Sequence, residues 1–193
     1  MSSSITVLAT LRPVDMDDLK LHIRVRHADE DDLIRALQET AVSMWESQTR
    51  RQLMVATYEE TFRGFEDEME LRPAPLAAVA SIEYLDTDDA EQTLSTDVYG
   101  VDAALEPAVV YRKSLQDWPA LSAFRNPVTV TFTAGYTTLA AVPEDIKSAI
   151  KLMVAHLFEH REAVAEPVGR GGFVDLPMGW DALLAPYSVS EVV

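Results

Sequence analysis

The 193-residue chain contains no cysteine. That one absence removes disulfides, thiolate nucleophiles and cysteine-based zinc sites. It suits a protein that meets both reducing and oxidising surroundings. There is no apolar run of about 18 residues, which excludes a transmembrane helix from the expectation. The opening MSSSITVLATLRP lacks the basic start and long apolar core of a signal peptide, so no export is predicted. A basic stripe is missing too. Sixteen Lys and Arg stand against 32 Asp and Glu, a formal charge of −16, and acids exceed bases in every third of the chain. Arg24, Arg26, Arg50 and Arg51 come nearest to a basic cluster, and acids surround them. Gripping nucleic acid requires phosphate neutralisation, so DNA near this surface is repelled rather than held. Solubility alone would also account for the charge. The sequence shows neither internal repeats nor low-complexity runs.

The signatures of chemistry are equally sparse. His156 and His160 lie four apart with Glu159 between them, a spacing that can hold a metal. The HExxH order is absent, however, because Leu157 and Phe158 follow the first histidine. Surface histidines on a helix are the plainer reading, as they are for His22 and His27. Asp86-Thr87-Asp88-Asp89 resembles the start of a calcium loop. Glu91 and Asp97 occupy the positions of its glycine and closing glutamate, which favours an acidic hairpin turn. The glycines around Arg170 lack the Lys-Ser/Thr of a phosphate loop and read as a hinge. No G-x-S-x-G is present. Glu159 and Glu162 would need a cleft and shifted pKa values to work as a carboxylate pair.

What the chain does contain is an ordered series of elements. Asp15 is a good N-cap for a first helix, with Asp18 at the capping-box position. Leu19, Ile23 and Leu11 are assigned to its buried side. A second helix is predicted from Asp29 to about Thr49-Arg50-Arg51, with Leu33, Ile34, Leu37, Ala41, Met44 and Trp45 on one face. From about residue 55 the pattern changes to short β-prone segments at 55–62, 69–71, 79–85, 92–94, 98–101 and 109–111. Turn residues separate them, and Pro73 and Pro75 exclude a central strand between the second and third. Such spacing predicts antiparallel meanders rather than βαβ crossovers.

Residues 128–162 carry the clearest signal. Val128, Val130 and Phe132 alternate with threonines in a half-buried strand, which Ala134-Gly135 ends. Pro143, Glu144 and Asp145 then open a long helix with Ile146, Ile150, Met153, Val154, Leu157 and Phe158 at helical spacing. A glycine-rich stretch leads to an apolar terminal segment. Leaving its Trp180, Leu183, Leu184 and Tyr187 in water would forgo roughly 1.5–3 kcal/mol each. That segment either folds back on its own core or docks on a partner. Trp45 is read as core, Trp118 as core or interface, and Trp180 as interface.

In order and spacing, these pieces resemble the head–tail connector proteins (adaptors, or head-completion proteins) of long-tailed bacteriophages and gene transfer agents. The likeness rests on three stretches, at 19–34, at 73–94, and at 128–162 with the closing 181–187. Arg50-Arg51 stand where the family pattern would place a small residue. The resemblance implies a ring of about a dozen copies beneath a portal protein. The ring would extend the DNA channel, dock the next stopper or tail component, and let DNA slide past an acidic lumen without specific binding. It also implies that the C-terminal arm, with Trp180, Leu183, Leu184 and Tyr187, reaches into the portal. The location implied is the virion neck, after synthesis in a bacterial cytoplasm, with no membrane contact.

The expected architecture is α+β. Residues 1–165 form a single connector domain, with helices at about 15–53 and 143–165 and a central antiparallel β insertion at about 54–134. Residues 166–193 form an extended C-terminal arm. No catalytic residue, metal or cofactor is expected. The alternatives are a small metal-dependent hydrolase using His156, His160 and Glu159, and a monomeric binding module with its tail folded back.

Overall fold

A computed structural model describes residues 2–7, 11–160 and 179–188. The chain divides into two compact units. One comprises Met1–Leu11 with Arg51–Thr138, the other Arg12–Arg50 with Leu139–Val193.

The second unit is helical. Helix α1 (Met16–Ile23) is capped by Asp15, whose carboxylate accepts the Asp17 amide at 2.9 Å. Asp18 lies 3.9 Å from Lys151 across the unit. Leu19 is fully buried and Ile23 partly so, but Leu11 is exposed. It precedes the N-cap, outside the helical repeat that would have turned it inward. Helix α2 (Asp31–Thr49) starts two residues later than Asp29. The Lys20 ammonium holds the Asp31 carboxylate at 2.7 Å at that start, whereas Asp29 stays in solvent. Its buried face carries Ile34, Gln38, Ala41, Trp45 and Thr49. Arg50 ends the helix at φ 58°, a left-handed cap that glycine usually supplies. Helix α3 (Glu144–Glu159) is preceded by Pro143 as N-cap rather than as the first helical residue, and it buries Ile146, Ala149, Ile150, Met153 and Val154. Leu157 and Phe158 are only half-buried. Helix α1 packs on α2 and α3, and α2 packs on α3. The short helix α4 (Trp180–Leu184) and the 3-10 turn Ala185–Tyr187 complete the unit.

The first unit is all β. Strands β1 (Ser2–Val7), β2 (Ala56–Phe62), β3 (Glu68–Leu71), β4 (Leu76–Leu85), β5 (Glu91–Thr93), β6 (Tyr99–Asp102), β7 (Ala108–Arg112) and β8 (Val128–Ala134) form two antiparallel sheets. Their orders are β1-β2-β8-β4-β5 and β3-β7-β6. This corrects the expected meander. β8, the last strand in sequence, sits between β2 and β4, so that among the described residues β1-β2, β4-β5 and β6-β7 are the pairs consecutive in strand order that also lie side by side. The three strands that intervene between β4 and β8 include two of the second sheet, so the chain leaves the first sheet before closing it. β2 and β8 alternate strictly, burying Ala56, Tyr58, Glu60 and Phe62 opposite Ala134, Phe132, Val130 and Val128. Tyr58 and Phe132 stack with ring centroids 5.7 Å apart. Met69, Leu71 and Val110 of the second sheet join the same core.

Strand β1 extends the β unit beyond the 54–134 expected. It was hidden because three serines weaken its pattern and Ser4, Ile5 and Thr6 are all exposed. β4 begins at Leu76, directly after Pro75, and register shifts at Leu76/Ala78 and Val79/Ser81 break the alternation that would have revealed its start. At the end of β8, Gly135 has φ 101°, and a Cβ there would stand 2.7 Å from the Met54 carbonyl. Only glycine fits that crossing. The α+β class, with helices from both ends of the chain and an antiparallel β region between them, is as expected. The glycines around Arg170, read from the sequence as a hinge, lie outside the described residues.

Candidate interaction site

The terminal segment 179–188 gathers the four apolar residues singled out from sequence. Gly179 takes φ 102° and leads into α4, which lies against α2 and α3. Trp180 is fully buried and Leu184 nearly so, while Leu183 and Tyr187 are half-buried. Burial of the indole is made tolerable by a hydrogen bond, with Trp180 Nε1 donating to Gln48 Oε1 at 2.7 Å. The Tyr187 hydroxyl donates to the Asp145 carboxylate, 2.8 and 2.7 Å from its two oxygens. Its ring meets Trp45 at 6.1 Å and 54°. The segment is thus latched at two points, one near the end of α2 and one on the first turn of α3. Trp45 is core, as read. Gln48 and Asp145 were not anticipated as partners, since both look like ordinary solvent-facing helix residues.

The histidine pair has a different setting. His156 and His160 rings lie 4.5 Å apart, and His160 Nδ1 is 2.9 Å from the His156 carbonyl. Partial burial, and then the neighbouring His160, hold His156 below the usual histidine range, with Glu159 opposing weakly. Among the described residues no three His, Asp or Glu side chains gather as a metal site would require. Asp86 is a turn residue. Its carboxylate accepts Gln92 Nε2 at 2.9 Å and the amides of Ala90 and Asp88 at 3.0 and 2.9 Å. Those bonds lower its pKa, and they use the oxygens that a calcium ion would need. Trp118 stacks on Phe65 at 4.6 Å against the β core.

Neither a protein family model nor a curated protein matches this sequence. Solved structures do. A chain in the neck of an empty GTA particle, computed with C6 symmetry, aligns with a TM-score of 0.78 and 20% identity, covering 100% of this chain and 98% of that one. A chain of the native gene transfer agent (GTA) virion gives 0.76 and 19%, covering 100% and 98%. One in the native GTA neck, computed with C12 symmetry, gives 0.70 and 18%, covering 98% and 97%. This chain shares its fold with a chain of the gene transfer agent neck. The likeness runs through both units and includes the terminal segment. Among the described residues no helix is long and apolar enough to cross a membrane.

Proposed function

We propose that this protein is a head–tail connector, a structural component of a virion or gene transfer agent neck that performs no chemistry. One observation carries the reading: the fold matches a neck chain over 100% of this chain and 98% of that one. The C12 symmetry of one such neck supports a ring of about twelve copies. In that ring the protein sits beneath the portal protein, extends the DNA channel and receives the next stopper or tail protein. The charge of −16 suits a wall past which DNA slides without being bound. The protein would be made in the bacterial cytoplasm and built into the neck.

The portal-facing residues are Trp180, Leu183, Leu184 and Tyr187. In the isolated chain Trp180 and Leu184 hold the segment to its own helices, while Leu183 and Tyr187 are half-buried. The burial of Trp180 also favours a second reading, a monomeric binding module with its tail folded back. Native mass spectrometry of the full chain, alone and mixed with the portal encoded beside it, separates the two. A ring, or a portal complex of near-equal stoichiometry, is the expected result. A monomer indifferent to the portal would leave the binding module.

A further inference from the structure

The seat of the terminal segment sets a condition on the portal contact proposed above. Trp180 is 0% exposed and Leu184 4%, in a helix that lies against α2 and α3 of its own chain. Side chains enclosed in that way offer no surface to a second protein. Contact between them and the portal requires the segment to leave. The seat and the portal therefore compete for the same two side chains.

Three features fit the segment for leaving. Helix α4 has five residues behind a glycine N-cap. A helix that short does not persist in water and keeps its form only against a surface. Its two polar anchors, moreover, lie at the rim of the seat. Gln48 is exposed and Asp145 half-buried, so water replaces both bonds when the segment lifts, at a small net loss. The entry is open as well. Gly179 has φ 102°, and among the described residues nothing lies within 4 Å of where its Cβ would stand. What resists release is mainly apolar, the burial of Trp180 and Leu184 and the contact of the Tyr187 ring with Trp45 at 6.1 Å. An apolar surface on a partner can return that burial.

We propose that the seat on α2 and α3 is an autoinhibitory contact, in which Gln48 and Asp145 withhold residues 179–188 from the portal. Binding draws on the minor population in which the segment has left the seat. The apparent affinity is then the intrinsic affinity reduced by the fraction of chains in that state. Free chains keep Trp180 and Leu184 out of water until a portal competes for them. The inference rests on the portal reading above and adds that the chain's own helices oppose it. It also reverses the usual sign of a damaging substitution, because loosening the seat tightens portal binding.

The test measures binding of the full-length chain to the immobilised portal encoded beside it, by surface plasmon resonance. Gln48→Ala takes the acceptor from the Trp180 indole, and Asp145→Ala takes it from the Tyr187 hydroxyl. Neither residue belongs to the segment. Each substitution should lower the apparent Kd roughly fivefold to tenfold, the loss of one hydrogen bond from the seat. The opposite manipulation locks the segment in. Because the sequence has no cysteine, Glu144→Cys with Ser188→Cys places two unique thiols beside the Asp145–Tyr187 bond. Joined by a reducible bismaleimide, the locked chain should lose portal binding, and reduction should restore it. This second arm decides the question even where a loosened variant folds poorly. Unchanged or weaker binding by folded Gln48→Ala and Asp145→Ala chains would overturn the inference and leave the portal reading standing. So would full binding by the locked chain, or a loss that reduction does not reverse. Wild-type and loosened chains that all ignore the portal would remove the portal reading, and this inference with it.

Discussion

In the helical unit the buried polar side chains are mostly neutral. Gln38 donates to the Val14 carbonyl at 2.7 Å, the Thr49 hydroxyl to the Trp45 carbonyl at 2.8 Å, and the Trp180 indole to Gln48. In the β unit, neutral Gln52 and Ser122 are joined by two charged groups, Arg51 and Glu60. Arg51, with its side chain 8% exposed, forms a fork with Glu106 at 2.5 and 2.6 Å. Glu60 lies among Tyr58 and Phe62 on the inner face of β2, with one oxygen 3.2 Å from the Arg72 amide. Neutral hydrogen bonds contribute about 1 kcal/mol each and can be traded for similar bonds to a partner. A buried charge stripped of its partner costs several times that. On that ground the neutral Trp180–Gln48 bond, one of the two latches of the terminal segment, is the kind of contact that can be exchanged. The Arg51–Glu106 pair of the β unit is not.

That contrast can be broken most forcefully at Trp180. Trp180→Ala should cost about 3–5 kcal/mol through the cavity left between α2, α3 and α4. In hydrogen exchange the loss of protection should concentrate in α2 and α3, with β8 little changed. Equal loss in β8 would mean that the units do not differ in this way. The converse is Phe132→Ala, with a cost of similar size that loosens β2, β4 and β8 first.

Glu60 sharpens the comparison through pH. Burial raises its pKa above the ordinary 4.5, with the Arg72 amide and charge opposing and Glu70 adding. The folded chain then holds this proton more tightly than the unfolded one. Its contribution to stability falls as pH rises from 4.5 to the raised value and stays low above it. Glu60→Gln keeps an acceptor for the Arg72 amide and carries no charge. It should melt above wild type near neutral pH, and the gap should close on acidification. A gap that is constant with pH would show that the carboxylate is not held protonated by burial.

A smaller effect belongs to the latch at Asp145. Tyr187→Phe removes a hydrogen bond to a carboxylate and should cost about 1–2 kcal/mol, read by calorimetry. Smallest of all is His156→Ala, a half-exposed position, where a change within about 0.5 kcal/mol is expected. Added zinc should shift the melting temperature of neither form, and a shift lost in the variant would revive the metal reading.

Much of this architecture was legible because most elements declare their own period. The residues of α2, α3, β2 and β8 alternate or repeat at spacings that only one backbone satisfies, and Pro73, Pro75 and Gly135 mark where strands stop. What stayed hidden depended on contacts between distant parts of the chain. β1 carries no apolar alternation and is a strand because β2 offers it an edge. The insertion of β8 between β2 and β4 is a choice of partner, which periodicity does not encode. Gln38 interrupts an apolar face and is buried because the Val14 carbonyl meets it. At the terminal segment, the apolar character of Trp180, Leu183, Leu184 and Tyr187 was plain. Its docking on Gln48 and Asp145 was not, since a tail long enough to fold back is long enough to reach a partner.

The central claim is that this chain forms the ring joining a portal to the rest of a neck. Electron cryomicroscopy of the portal co-expressed with the full-length chain tests it most directly. The account predicts a ring of about twelve copies stacked on one end of the portal, its helical units in contact with it, as the C12-symmetric neck of the same fold suggests. Bare portals beside free monomers would contradict it.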